Sequence, residues 1–403
     1  MKIRSITYFC NPRYPLDEKV LQKAGQFLTE SRSAFEAAGY EVQTTRLATI
    51  PFPEILGEEN IGQLPAYTGQ MDAIAQELKI GYVSLGPALP ELPASYAVIP
   101  ESIFVSKIVF FGGVMADKTR GIDLSAVRAC ADVIVKSAFI EPNGFANLQF
   151  AALANMEAGT PFFPAAYHDT DEPAFAIATE SADLAVQAFE NAKTVEEARS
   201  NLILEIQGHG KRLTDVSKSL NCRFGGIDFS LAPFPSEVQS LGTAFERLGI
   251  PKIGLHGSLL AAAILTEAVD RANFLHTGFS GLMMPVLEDA TLAKRAAEGT
   301  LTIKDILLYS AVCGTGLDTV PLPGDTSAEQ VTPLLLDLCA LALRLDKPLT
   351  ARLMPIPGKK AGEETNFDFP FFAPSRVMAL DSEGLTNSLS GAETIPLSSR
   401  KLT

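Results

Sequence analysis

The sequence is poor in cysteine and in positive charge, and it has no long apolar run. Its five cysteines, Cys10, Cys130, Cys222, Cys313 and Cys339, are scattered, with no C-x-x-C pair. That spacing supports neither a zinc ribbon nor a disulfide framework, and it suits reduced thiols in a cytoplasm. No apolar stretch reaches the roughly 18–20 residues of a membrane span; the best candidate, Leu255 to Ile264, holds His256 and Ser258. The first strand-like run starts at Ile3 with no charged and apolar leader before it, so a secretory signal is not expected. Lys and Arg total 33 against 47 Asp and Glu, a net charge of −14. That balance argues against nucleic acid or an anionic membrane as partner and leaves room for a local cationic pocket. Three motifs are also missing. There is no H-E-x-x-H. Pro357-Gly358-Lys359-Lys360-Ala361-Gly362 does not fit a Walker A loop. Gly314-Thr315-Gly316 runs into Asp318 and Thr319 rather than completing G-x-G-x-x-G. A zincin, a P-loop and a nicotinamide site are therefore not expected.

What is present reads as a large folded α/β chain. Of 403 residues, 47% are hydrophobic and 20% charged, enough to bury a sizeable core. Extended signals at Ile3–Phe9, Glu41–Leu47, Tyr82–Leu85, Lys107–Phe111, Phe145–Leu153 and Pro161–Tyr167 are interleaved with helical spacing at Leu16–Ala38, Ala66–Leu78 and Leu124–Ala138. The second half repeats the rhythm. Strands are expected at Phe224–Leu231, Gly281–Leu287, Leu317–Leu322, Thr350–Ile356 and Phe369–Phe372. Helices are expected at Ser240–Leu248, Ser258–Ala272 and Ile303–Ala311. Thr194-Val195-Glu196-Glu197 and Ser327-Ala328-Glu329-Gln330 have the form of capping boxes, although Gly208 and Gly210 weaken the first helix beyond them. Each half thus offers about five strands. One domain is expected over 1–380, with halves of about 1–190 and 191–380, then a surface tail at 381–403. Continuous apolar strands suit a sheet covered on both faces, with a cavity where loops leave the strand ends.

Five segments share one format, an apolar strand followed by a turn rich in Gly, Pro and Asp. They are Gly225–Pro233 (GGIDFSLAP), Pro285–Ala290 (PVLEDA), Cys313–Asp318 (CGTGLD), Pro323–Thr326 (PGDT) and Arg352–Gly362 (RLMPIPGKKAG). The first four, in this order, resemble the set carried by the bacterial and archaeal family catalogued as domain of unknown function 711. Pro161–His168 (PFFPAAYH) and the Arg352 segment are similar to one branch of that family. The resemblance covers most of the chain. It implies a ten-stranded α/β barrel like that of the pyruvate formate-lyase glycyl-radical enzymes, closed by two five-stranded halves. It implies no reaction. Glycyl-radical enzymes carry an R-V-x-G-Y type loop near the C-terminus; this chain has Arg376-Val377-Met378-Ala379-Leu380, without the glycine, so no glycyl radical is expected.

The acidic residues at these strand ends, Asp228, Glu288, Asp289, Asp318 and Asp325, are the leading site candidates. Converging carboxylates can exchange protons, and Asp228, Glu288 and Asp318 could ligate a divalent cation such as Mg²⁺. Each could equally be a helix or turn cap. Cys313 is either a thiolate beside backbone N–H groups or a buried small hydrophobe. His256, between glycines before a helix, and His168, after Phe162-Phe163-Pro164, could polarise or line a site, or be hydrogen-bonded loop residues. Arg352 on a strand could clamp an anion with its planar fork, while Lys359 and Lys360 read as a solvated turn. The expected function is an enzyme acting on a small anionic metabolite. Asp228, Glu288, Asp289, Cys313 and His256 are its catalytic candidates, and Arg352, Asp318 and His168 its substrate-binding candidates. A non-catalytic small-ligand sensor is the alternative, and a homodimer is possible.

Overall fold

The computed structural model describes residues 1–190, 192–312 and 314–400. Its strands are β1 (Lys2–Cys10), β2 (Val42–Thr49), β3 (Tyr82–Ala88), β4 (Val109–Asp117), β5 (Gly121–Asp123), β6 (Phe150–Ala154), β7 (Ala174–Glu180), β8 (Arg223–Ala232), β9 (Gly316–Pro323), β10 (Leu349–Ile356) and β11 (Thr394–Ile395). They form one mixed sheet whose main path runs β8-β7-β1-β2-β3-β4-β6-β10-β9, with β5 and β11 set off the edge of β4. The strands β1, β2, β3, β4 and β6 are mutually parallel. Antiparallel seams at β1–β7 and β6–β10 join them to two parallel pairs, β7–β8 and β9–β10. The ladder does not close. Between its two edges runs the segment 274–289, which makes one isolated parallel bridge to each side, Ile227 with His276 and Pro285 with Asp318. Ile227 N–H donates to Leu275 O at 2.8 Å and Val286 N–H to Asp318 O at 3.0 Å.

The strand period of two decides what faces where. Ile3, Ile6 and Tyr8 of β1, Val83 and Leu85 of β3, Phe175 and Ile177 of β7, and Leu349, Ala351 and Leu353 of β10 join the large core beneath the helices. Those helices include Glu18–Ala37, Leu64–Glu77, Leu124–Ser137, Val195–Ser217 and Ala328–Leu345. The alternate residues face inward. There they are small, aromatic or polar: Phe9, Ala48, Phe110, Ala174 and Ala176 cluster with Phe163 and Ala166. The segment 161–167, expected as a strand, is instead an internal plug. Phe162, Phe163, Ala165 and Ala166 are buried. Thr7 Oγ1 donates to Pro161 O at 2.9 Å and Ser84 Oγ to Ala166 O at 2.7 Å, so inward hydroxyls of β1 and β3 hold the plug's backbone.

Other departures from the sequence reading have local causes. β7 was not expected. Its inward residues Ala174, Ala176 and Ala178 are small because the plug and its neighbours occupy the space opposite, and alanine carries little strand signal. Among the described residues seven strands precede position 191 and three lie between 191 and 380, rather than five and five. Gly281–Leu287 is not a strand: Pro285 has no N–H to give a ladder, and Gly278 and Ser280 have φ of 62° and 40°. Phe145–Gln149 is a 3₁₀ helix leading into β6. Phe369–Phe372 turns back on itself, Phe372 N–H donating to Phe369 O at 3.0 Å, and its rings pack on one another.

The two capping sequences do start helices. Ser327 and Gln330 form the full reciprocal box. Thr194 caps Glu197 N–H, while the Glu197 carboxylate reaches Lys193 N–H instead of the cap backbone. The helix then continues through Gly208 and Gly210 to Ser217. A Cβ on Gly210 would lie 2.8 Å from Phe274 Cβ, so close packing explains that glycine. In the tail, β11 pairs with β5, and Arg400 N–H donates to Arg344 O at 2.8 Å. No helix among the described residues is long and apolar enough to cross a membrane.

Candidate functional site

Inward residues of β1, β2, β3, β4 and β10 meet at one cavity of about 70 Å³, so the sheet must curl around it. Its walls are Arg4, Gln43, Thr44, Arg46, Tyr82, Phe110, Leu148, Phe162, Phe163, Met283, Glu288, Arg352, Phe369 and Phe371. Beside it lies a chain of alternating charge. Glu180 accepts from Arg4 at 2.9 Å, Arg4 donates to Glu288 at 2.5 Å, Arg352 donates to Glu288 at 2.8 Å and to Asp318 at 2.6 Å. All five side chains are at least 87% buried. Three carboxylates against two guanidiniums leave this chain at −1. Arg46 restores neutrality without touching a carboxylate. It is 7% exposed, its Nε donates to Thr44 Oγ1 at 2.9 Å, and among the described residues its terminal nitrogens make no hydrogen bond or ion pair. The guanidinium lies against Tyr82 and Phe163, 5.5 and 5.1 Å from the ring centroids. Burial first, and Arg4 second, pull it down to about 9, so it keeps its charge at neutral pH.

The candidates from the sequence divide accordingly. Glu288 and Arg352 line the cavity, and Asp318 is bound to Arg352 just behind it. Arg352 is not a free anion clamp, because Glu288 and Asp318 occupy its fork. Burial pushes the Asp318 carboxyl up, and the Arg352 guanidinium pulls it back. Asp289 is fully buried and caps two helices. It accepts from Ser240 Oγ and from the N–H groups of Leu241, Gly242, Thr291 and Leu292 at 2.6 to 3.2 Å. No lone pair is left for chemistry, so the capping alternative holds for it. His168 is buried in the loop after the plug, where Nε2 donates to Glu172 O at 2.8 Å; burial pulls it down, and it does not line the cavity. His256 and Asp325 are exposed on turns away from the cavity. Lys360 is exposed and Lys359 half-buried. Cys313 lies outside the described residues.

Asp228 also belongs to the scaffold. It accepts from Ser230 Oγ at 2.7 Å, Phe279 N–H at 2.8 Å and Ser280 N–H at 2.9 Å, which ties β8 to the turn at 278–281. A Cβ on Gly278 would fall 2.2 Å from Asp228 Oδ2, so only glycine fits beside it. The proposed cation set of Asp228, Glu288 and Asp318 does not assemble: Asp228 is spent on this turn, and the other two are held by arginines. Among the described residues no group of three or more His, Cys, Asp or Glu could hold a metal.

Burial pushes the Asp228 carboxyl from its ordinary 3.8 up to about 6, against the pull of its donors. The folded state then binds this proton more tightly than the unfolded chain. The contribution favours folding most below the ordinary value and is lost as pH rises towards 6. Urea titrations should therefore show the stability of the native protein, relative to an Asp228→Asn variant, falling between about pH 4 and 6. A pH-independent difference would mean that the Asp228 carboxyl binds its proton equally well folded and unfolded.

Sequence reasoning missed Arg4, Arg46 and Glu180. Glu180 was hidden with β7. For Arg46 a signal existed: V-Q-T-T-R-L-A-T of β2 carries a polar run, Gln43 to Arg46, between apolar Val42 and Leu47.

The fold and the cavity together define an α/β protein whose curled sheet encloses an internal network of arginines and carboxylates. The chain matches the family described as "Uncharacterised ACR (DUF711)" over residues 1–375, and it belongs to that family. A "UPF0210 protein" of Pyrobaculum islandicum is 31% identical over 384 residues, covering 90% of this chain and 82% of the relative. Another, of Methanocaldococcus jannaschii, is 27% identical over 375 residues, 87% of this chain and 82% of the relative. A third, of Pyrobaculum aerophilum, is 37% identical over 261 residues, but the match spans only 62% of this chain and 57% of that relative.

Proposed function

We propose that the inner cavity binds a small anionic metabolite, with Arg46 as the anion contact. The observation that carries this is the state of Arg46: buried, charged, braced by two rings, lining the cavity, and without a carboxylate partner among the described residues. Burying an unpaired guanidinium costs several kcal/mol, and an incoming anion would offset that cost. In this reading the segment 274–289 serves as an irregular tenth stave that closes a barrel of the glycyl-radical-enzyme type, with its bridges to Ile227 and Asp318 as support.

A catalytic role for the same site is favoured by one further observation. Glu288 is the carboxylate that lines the cavity, and Arg4 and Arg352 fix both of its oxygens while leaving lone pairs free to accept a proton. A Glu288→Gln variant should then retain ligand and lose turnover.

Metabolite capture followed by mass spectrometry tests the binding reading. The native protein should enrich a small anion that Arg46→Met loses and Lys359→Ala keeps. Equal recovery by the native and Arg46→Met proteins would overturn it.

A further inference from the structure

We infer that the anion is a short-chain monocarboxylate, since a cavity of about 150 Å³ accommodates a benzene and this one has under half that volume. The inference rests on Arg46 being the anion contact and goes further in naming what Arg46 holds. Three features of the cavity narrow the class.

The first is charge. The six buried groups, Arg4, Arg46, Arg352, Glu180, Glu288 and Asp318, are already neutral in sum, and Arg46 is the one lining cation without a carboxylate among the described residues. One negative charge finds a partner there. A second would stand in a low-dielectric space facing Glu288 with no cation to meet it. Dicarboxylates and phosphate dianions are disfavoured on that ground.

The second is shape. Arg46 lies against the Tyr82 and Phe163 rings, and Thr44 holds its Nε, so the guanidinium plane is set before any ligand arrives. A planar carboxylate matches such a fork with two parallel hydrogen bonds, which a tetrahedral anion uses less well.

The third is the remaining wall. Phe110, Leu148, Phe162 and Met283 offer apolar surface for an alkyl or keto-alkyl body. Phe369 and Phe371 complete it from a strap tied at its base, where Thr365 N–H donates to Ser375 O at 2.9 Å. Phe371 also lies over Arg4, 5.9 Å from its guanidinium carbon. The strap narrows the cavity on this side, so a ring-sized body would crowd these two phenylalanines.

Calorimetry with acetate, propionate, butyrate, succinate and benzoate tests this on the full chain. At neutral pH one or more of the three short monocarboxylates should bind at least tenfold more tightly than succinate or benzoate, roughly the effect of 1.4 kcal/mol. Arg46→Met should weaken that binding by roughly 10- to 100-fold, the range for hydrogen bonds to a charged group. Arg46→Lys should lie between, with the order of ligands unchanged. If Arg46→Met does not fold, the order within the native protein and the Arg46→Lys result still decide. Benzoate or succinate binding as tightly as the short acids, and still dependent on Arg46, would overturn the ligand class and leave the anion site standing. Binding that ignores Arg46, or no binding of any of the five, would overturn the inference; in the first case the anion site falls with it.

Discussion

Replacing Arg352 by methionine should lower the folding free energy by about 3–5 kcal/mol, the cost of leaving buried carboxylates without their cation. Among the described residues Arg352 alone links Glu288 and Asp318, and both side chains are nearly sealed from water. Removing it leaves Asp318 with no ion-pair partner among the described residues and Glu288 with Arg4 alone. Arg352→Lys should recover part of the loss, because a single ammonium cannot span two carboxylates as Nε and a terminal nitrogen do. Urea denaturation of the three proteins would show it. A stability unchanged in Arg352→Met would mean that water already screens the network. The result also separates two roles. An anion clamp facing an open site would affect affinity and spare the fold, whereas this residue is expected to affect the fold first.

The other large effect belongs to Asp289→Ala, expected to cost about 3–4 kcal/mol, the loss of a helix cap plus several buried hydrogen bonds. One carboxylate satisfies the first turns of two helices, Leu241–Arg247 and Ala290–Glu298, and receives Ser240 Oγ as well. Its removal leaves four backbone N–H groups and a hydroxyl to find other partners in a dry interior. Asp289→Asn should retain only part of the stability, because an amide offers one acceptor oxygen where five donors converge. Thermal unfolding followed by circular dichroism would rank the variants. A melting temperature within a degree or two of the native one in Asp289→Ala would show that water replaces the carboxylate.

Asp289 shows how far the sequence carries. Its place, after P-V-L-E and before an amphipathic helix, offered capping as one reading beside a catalytic one, and the hydrogen bonds of the folded chain decided for capping and added the second helix it serves. Most helices were legible because their period, their caps and their stops lie within a few residues of one another. β1, β3, β8 and β10 were legible because a run of β-branched, aromatic and apolar residues closed by a turn signal is local too. By contrast, β7 was illegible, since its alanines are small to suit a plug that comes from elsewhere in the chain.

The sequence by itself determined the alternation of strands and helices, the family, and the place of Arg352 on a strand; it put Asp318 and Glu288 at strand ends, whereas Asp318 lies within β9 and Glu288 follows a segment that is no strand. It also determined that any anion site must be local in so acidic a chain. Only the tertiary structure decided which of three arginines has no carboxylate partner among the described residues. Arg4, Arg46 and Arg352 each occupy a strand and look alike along the chain. Partnering depends on which inward faces the curl brings within reach: Glu180 from β7 and Glu288 from the irregular segment claim Arg4, Glu288 and Asp318 claim Arg352, and two aromatic rings surround Arg46 instead. Coulomb attraction acts through space over a few ångströms, so which charges neutralise one another is set by the fold and cannot be read from their order in the chain.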